Sequence, residues 1–176
     1  MSESNSCTGF ILRKKDLPHY DQVIVAFSRE YGKIAMIAKG VRKSTSKRSA
    51  HLQTGNLLKI QVLMKTNLSV LQQTNLVSAF GGLKEDYLKI KFLYAALFVL
   101  DHILPELQPE PEVYTELQAY ISYLSKHNDQ TYLARFYKFL EKILEYLGFL
   151  DEEEQDDLIG FTEQVIDAKI PLHDII

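Results

Sequence analysis

A chain of 176 residues is long enough to bury a core, as one large domain or two small ones, and its net charge of −3 conceals a split. Residues 1–80 carry 12 Lys and Arg against 4 Asp and Glu, a net +8, whereas residues 81–176 carry 8 against 19, a net −11, the asymmetry of a polyanion-binding part joined to a part with another task. A single cysteine, Cys7, excludes an internal disulfide and a cysteine-built zinc cluster; the polar start MSESNSCTG lacks a signal-peptide core, and the longest wholly apolar run, nine residues at 92–100, is too short to span a bilayer, so a soluble protein in a reducing cytoplasm is expected.

Residues 1–6 read as loose. From 8 to about 80 the apolar runs are short, rich in Val, Ile and Leu, and broken by turn residues, giving candidate strands at 8–14, 22–28, 33–39, 57–65 and 68–77. Leu58, Ile60, Val62 and Met64 alternate with Lys59, Gln61 and Leu63, the two-residue period of a strand with one buried face. Pro18, which cannot donate to a ladder, separates the first two strands, and Thr66-Asn67 suits a tight turn before the last. Five short strands in this length suggest a small barrel or a sandwich.

The stretch REYGKIAMIAKGVRKSTSKRSAHL, residues 29–52, organises this half. An apolar segment between Lys33 and Lys39 meets Gly40, able to turn the chain at positive φ, and then eight residues, 41–48, with four cations and three hydroxyls. A strand delivering its end into a flexible cationic loop suits a surface that grips phosphates, since Arg and Lys supply charge and Ser and Thr hydrogen-bond phosphate oxygens. Arg13, Lys15, Arg29, Lys33 and Lys39 flank the strands, with Tyr31 in a turn among them, the mixture of cations and aromatics that holds single strands. The plainer alternative is a solvated loop whose lysines keep the protein soluble.

Phe80-Gly81-Gly82 marks a change of architecture, after which the apolar period lengthens to that of helices. Residues 83–104 read as one helix, apolar all round at FLYAALFVL and therefore buried on most sides. Pro105, Pro109 and Pro111 make LPELQPEPE a stiff connector. Residues 112–126 carry a stripe of Val113, Leu117, Tyr120, Ile121 and Leu124. A third helix, capped by Asn128 or Asp129, runs to Leu147 with Leu133, Phe136, Leu140, Ile143, Leu144 and Leu147 inward. Gly148-Phe149 fits a glycine stop followed by an apolar residue, and the six carboxylates of 151–157 precede a short helix at 158–166, where they complement its dipole.

No phosphate-binding glycine loop, zinc-protease helix or nucleophile elbow is present, and the histidines (His19, His51, His102, His127, His173) lack metal-ligand spacing. The acidic run is strung along one segment rather than converging from several, which argues against a metal nuclease. No catalytic constellation is expected, nor any cofactor. On the acidic half, Arg135, Lys138 and Lys142 recur at helical spacing beside Tyr132, Phe136 and Phe139; an apolar groove rimmed by cations would receive an acidic, aromatic peptide tail. The alternative there is a solvated helix whose cations pair with Glu141 and Glu145.

The stretch GFILRKKDLPHYDQVIVAFSREYGKIAMIAKGVRKSTSKRSAHLQ resembles the amino-terminal region of the bacterial DNA repair and recombination family RecO. The pattern is a first strand ending in basic residues, an acidic residue before the second strand, Gly-Lys-Ile, then Ala-Lys-Gly-x-Arg-Lys-Ser. FGGLKEDYLKIKFLYAALFVLD and KFLEKILEYLGF are similar to the family's helical segments, so the likeness covers about residues 8–150. The resemblance implies an α+β chain: a five-stranded OB-fold barrel that binds nucleic acid over 1–80 and an all-α helical domain over 81–176. It also implies a non-enzymatic, cytoplasmic and nucleoid-associated recombination mediator. Such a protein binds and anneals single- and double-stranded DNA and, with RecR, helps load RecA onto strands coated by the single-stranded-DNA-binding protein SSB. Lys33, Lys39, Arg42, Lys43, Lys47 and Arg48 carry over as DNA contacts, and Arg135, Lys138 and Lys142 as the site for the acidic SSB tail. No membrane partner is implied. Two departures stand out: the four-cysteine zinc module of many members has no counterpart, and only 27 residues follow Phe149, so contacts made by the family's carboxy-terminal part are expected to be missing. An RNA-binding OB module and a protein-interaction adaptor are the alternative readings.

Overall fold

The computed structural model describes residues 4–66, 68–128, 131–150 and 157–172. Five strands, β1 (Ser4–Asp16), β2 (Gln22–Ser28), β3 (Gly32–Ala38), β4 (Leu57–Leu63) and β5 (Ser69–Ser78), precede five helices, α1 (Gly81–Lys84), α2 (Tyr87–Ile103), α3 (Pro111–Lys126), α4 (Tyr132–Tyr146) and α5 (Leu158–Ile166). The sheet closes as a barrel in the order β1-β2-β3-β5-β4, so of the barrel and the sandwich the barrel is correct, and the arrangement is an OB-fold. The chain divides into two compact units: Met1–Ala79 with Leu104–Pro109, and Phe80–Ile103 with Glu110–Ile176.

β1 explains the closure. Its first half pairs antiparallel with β4, from Ser4↔Leu63 to Phe10↔Leu57, and its second half with β2, from Gly9↔Ser28 to Asp16↔Gln22. A register shift between Ile11 and Arg13 lets one strand serve both neighbours, as bulges do where barrels turn corners. β1 is therefore longer than the expected 8–14: Ser4, Asn5 and Ser6 are not loose but held in the ladder with β4, and residues 1–3 lie outside the described residues. A short parallel pairing of Met36 and Ile37 with Ser69 and Val70 completes the ring. Leu58, Ile60 and Val62 are wholly buried while Lys59 and Gln61 are exposed, as the alternation predicts. They join Cys7, Ile11, Ile24, Met36 and Leu71 in one core, and Met64, just beyond β4, packs against it. The strand ends at Leu63; Asn67 of the expected turn is outside the described residues.

The connector at 104–109 belongs to the barrel unit. β3 meets β5 only at its far end, so the edge near Lys33 would otherwise be bare. Glu106 forms a parallel bridge with Lys33, and the Leu107 N–H donates to the Lys33 carbonyl at 2.8 Å, covering that edge. Gly32, at φ +72°, permits the approach: a Cβ there would stand 1.9 Å from the Gln108 carbonyl oxygen.

In the helical unit, the single expected helix at 83–104 is two. Asp86 interrupts it and caps α2, its Oδ1 accepting from the Leu88 and Lys89 amides at 2.9 and 3.0 Å. α2 is buried along Phe92, Leu93, Ala95, Ala96, Leu97, Val99 and Leu100. α3 opens with Pro111, whose missing N–H costs nothing in a first turn. α4 ends in a Schellman arrangement: Gly148 N–H donates to the Glu145 carbonyl at 3.0 Å and Phe149 N–H to that of Leu144 at 2.8 Å. The proposed α4 cap is corrected in part. Asn128 instead accepts from Lys89 Nζ at 2.6 Å, and Asp129 is outside the described residues. Asp157 caps α5 through the Gly160 amide at 2.9 Å. The rest of the acidic run, 151–156, is outside the described residues, as is His173.

Candidate nucleic-acid interface

The β3–β4 loop, expected as a flexible cationic arm, is tied back to the barrel at both of its ends. Val41 and Leu52, near its two ends, are 0% and 1% exposed and enter the barrel core. Around these two residues the chain is held at named points. Gly40, at φ +60°, turns the chain and donates its N–H to Asp21 Oδ1 at 2.6 Å, and the Arg42 N–H donates to the Tyr20 carbonyl at 3.0 Å. On the return, Lys14 Nζ donates to Gln53 Oε1 at 2.6 Å, Asn56 Nδ2 to the His51 carbonyl at 2.8 Å, and His51 Nδ1 lies 3.1 Å from Thr74 Oγ1.

Both arginines of the loop are committed to the barrel. Arg42 Nη1 meets Asp16 Oδ2 at 3.1 Å and its Nη2 donates to the Leu17 carbonyl at 2.7 Å. Arg48 Nη2 donates to the Lys39 carbonyl at 2.8 Å and its Nη1 to that of Gln72 at 3.3 Å, drawing the two sides of the loop together. Lys43 and Lys47 differ. Both are exposed, beside exposed Ser44 and Thr45, and neither side chain has a hydrogen-bond or ion-pair partner among the described residues.

Strand register sorts the remaining candidates. Lys15 is opposite Val23, which is opposite Ile37, so exposed Lys15 stands at the same end of the barrel as Lys39 and the loop. Arg13, opposite Val25, lies nearer the middle of the sheet. Arg29, Tyr31 and Lys33 sit at the β2–β3 turn. Lys33 is six residues from Lys39, roughly 20 Å along an extended strand at about 3.3 Å per residue. Tyr31 is half-buried against the core, its amide held by Ser28 Oγ at 3.0 Å, rather than standing free on a turn. The structure thus gathers Lys15, Lys39, Arg42, Lys43, Lys47 and Arg48 at one end and separates Arg29, Tyr31 and Lys33 at the other. Asp16, Asp21, Gln53 and Asn56, which position the loop, are not among the candidate site residues read from the sequence.

The cationic set on α4 is arranged otherwise than expected. Tyr132, Phe136 and Phe139 do not line a groove; they are 4%, 0% and 0% exposed and form core with Phe92 and Tyr120. Arg135 and Lys142 turn not to Glu141 and Glu145 of their own helix but to Glu116 of α3. Arg135 Nη2 lies 2.5 Å from Glu116 Oε1, and Lys142 Nζ 3.9 Å from Oε2. The Arg135 guanidinium also lies 5.3 Å from the Tyr120 ring centre, and its Nη1 is buried without a partner among the described residues. Burial raises the Tyr120 hydroxyl pKa well above its ordinary value, against the opposing charge of Arg135. A shallow groove of about 280 Å³ does run along α3, but its charged lining is Glu112 and Glu116. Only Lys138 is both exposed and without a described partner.

Cys7 is buried in the barrel core. Desolvation foremost, then the charge of Glu30, pushes its thiol from 9.0 to about 11 despite a hydrogen bond with Ser28, so it is a packing residue and not a nucleophile.

Residues 1–80 match the family model of the recombination protein O N-terminal domain, and residues 84–156 that of its C-terminal domain. The chain belongs to the RecO family. It is similar to the DNA repair protein RecO of Geobacter metallireducens, 24% identical over 84% of this chain and 59% of the relative. It is also similar to that of Cutibacterium acnes, 31% over 59% and 43%, and that of Listeria monocytogenes, 24% over 89% and 60%. The chain therefore spans between two fifths and three fifths of the length of these RecO proteins. The first match covers the five strands and the second α2, α3 and α4. Among the described residues, no helix is long and apolar enough to cross a membrane.

Proposed function

We propose that this RecO chain is a non-catalytic, cytoplasmic and nucleoid-associated mediator of recombinational DNA repair, which holds DNA strands on the loop end of its barrel. The observation that carries the reading is the pinned loop from which Lys43 and Lys47 project, with Lys15 and Lys39 at the same barrel end. Such cations attract a phosphate backbone chiefly by releasing its condensed counterions. Two strands neutralised on one surface lose their mutual repulsion, which is the physical basis for annealing. Loading of RecA with RecR onto SSB-coated strands is the larger activity proposed from family membership. For the SSB tail, Lys138 is the α4 cation left to meet a carboxylate, with Lys142 secondary and Arg135 already occupied by Glu116.

The test is binding of a fluorescent single-stranded oligonucleotide across a salt series, wild type against Lys43→Glu/Lys47→Glu. The wild type loses affinity steeply with log salt; the variant binds weakly with a shallower slope and no longer anneals. A variant that binds and anneals like wild type removes the loop from the interface. An RNA oligonucleotide of the same sequence that outcompetes the DNA turns the assignment toward an RNA-binding module.

A further inference from the structure

We infer that the four loop cations divide into two kinds: Lys43 and Lys47 contact phosphate, whereas Arg42 and Arg48 are positioning residues that present those lysines and are not themselves backbone contacts. The inference rests on the reading of this loop as the DNA interface and deepens it. Arginine is ordinarily the stronger phosphate ligand because its planar fork binds two oxygens at once. Here each guanidinium already donates twice to the barrel unit or the loop's own base. Arg42 spans the Asp16 carboxylate and the Leu17 carbonyl, and Arg48 spans the Lys39 and Gln72 carbonyls. Turning either fully toward DNA would abandon two of the hydrogen bonds that set the path of the loop. The two lysines have no such commitment among the described residues.

Two carboxylates complete the device. Asp16 holds Arg42 through Oδ2 and accepts from Gln22 Nε2 through Oδ1 at 2.8 Å, and Asp21 Oδ1 holds the Gly40 amide. A negative charge beside a polyanion site ordinarily weakens binding, so their presence at the mouth of a cationic loop is otherwise unfavourable. If they position the loop, their removal has the opposite sign from simple electrostatics.

The experiment measures oligonucleotide affinity and its salt slope for Asp16→Ala, Asp21→Ala, Arg42→Lys, Lys43→Ala and Lys47→Ala, each first shown by circular dichroism to be folded. Each lysine variant reduces the salt slope by about 0.7, the increment for one phosphate contact on a single strand. Asp16→Ala and Asp21→Ala lower affinity several-fold at unchanged slope, although each removes a negative charge. Arg42→Lys keeps the charge but loses the fork, and falls as far as Asp16→Ala. Higher affinity in either aspartate variant, or an Arg42→Lys variant with wild-type affinity, overturns the division while leaving the loop as the interface. Unchanged slopes in both lysine variants overturn the interface itself, and this inference with it.

Discussion

The Glu116–Arg135 pair sets a measurable cost on the helical unit. The side chains are 9% and 14% exposed, so the pair is largely shielded from water, and the Arg135 Nη1 already lacks a partner among the described residues. Glu116→Ala leaves a charge that has surrendered its hydration without compensation. Breaking a buried pair on one side costs about 3–5 kcal/mol. The residual exposure of Arg135 lets it recover some water, which favours the lower end; the Lys142 contact, 3.9 Å long and on a side chain 35% exposed, adds little. At about 3 kcal/mol, a chain of this size loses about 6–12 °C in melting temperature. Far-ultraviolet circular dichroism follows this loss. The double replacement Glu116→Leu/Arg135→Met substitutes apolar volume for both charges and recovers most of the stability, because the desolvation of each charge disappears with the charge. A Glu116→Ala variant within about 2 °C of wild type, or a double variant no better than the single, refutes this account.

Other outcomes follow from the barrel. Leu52→Ala opens a cavity at a residue 1% exposed, costs about 3 kcal/mol by chemical denaturation, and lowers oligonucleotide affinity at unchanged salt slope because no cation is lost. Gly32→Ala forces a side chain into left-handed backbone, about 1–2 kcal/mol, and drives its Cβ into the Gln108 carbonyl, so its denaturation midpoint falls by more than the backbone cost alone. Cys7 resists thiol reagents at pH 8 until the barrel unfolds. Its thiol pKa is raised on folding, so the stabilisation is complete below pH 9 and is lost as pH rises toward about 11. A Cys7→Ala variant declines less steeply over that interval, as equilibrium unfolding at a series of pH values would record.

The barrel strands were legible because Leu58, Ile60 and Val62 must alternate with polar residues on a half-buried sheet, and they did so openly. The start of β1 was not, because Ser4, Asn5 and Ser6 have little strand preference and are extended only by pairing with Leu63, Val62 and Gln61. The break before α2 did have a signal in Asp86, but the surrounding apolar run obscured it. In the loop, the sequence showed four cations without showing which were free. The partners that decide it are remote: Asp16, the Leu17 carbonyl and the Gln72 carbonyl lie 26, 25 and 24 residues from the arginines they hold. The same limit applied to α4, where helical spacing placed Arg135 beside Lys138 but could not reveal Glu116 on the neighbouring helix.

The small bridge between Glu106 and Lys33 bears on the order in which the protein is made. All five barrel strands have been synthesised once residue 78 is in place, yet the exposed side of β3 waits for residues 104–109. At about 5–20 residues per second, a nascent chain spends a few seconds with a closed ring and one uncovered strand edge. During that interval the edge is open to pairing with another chain, a hazard that ends when the return segment emerges. A fragment ending at residue 79 would keep it permanently.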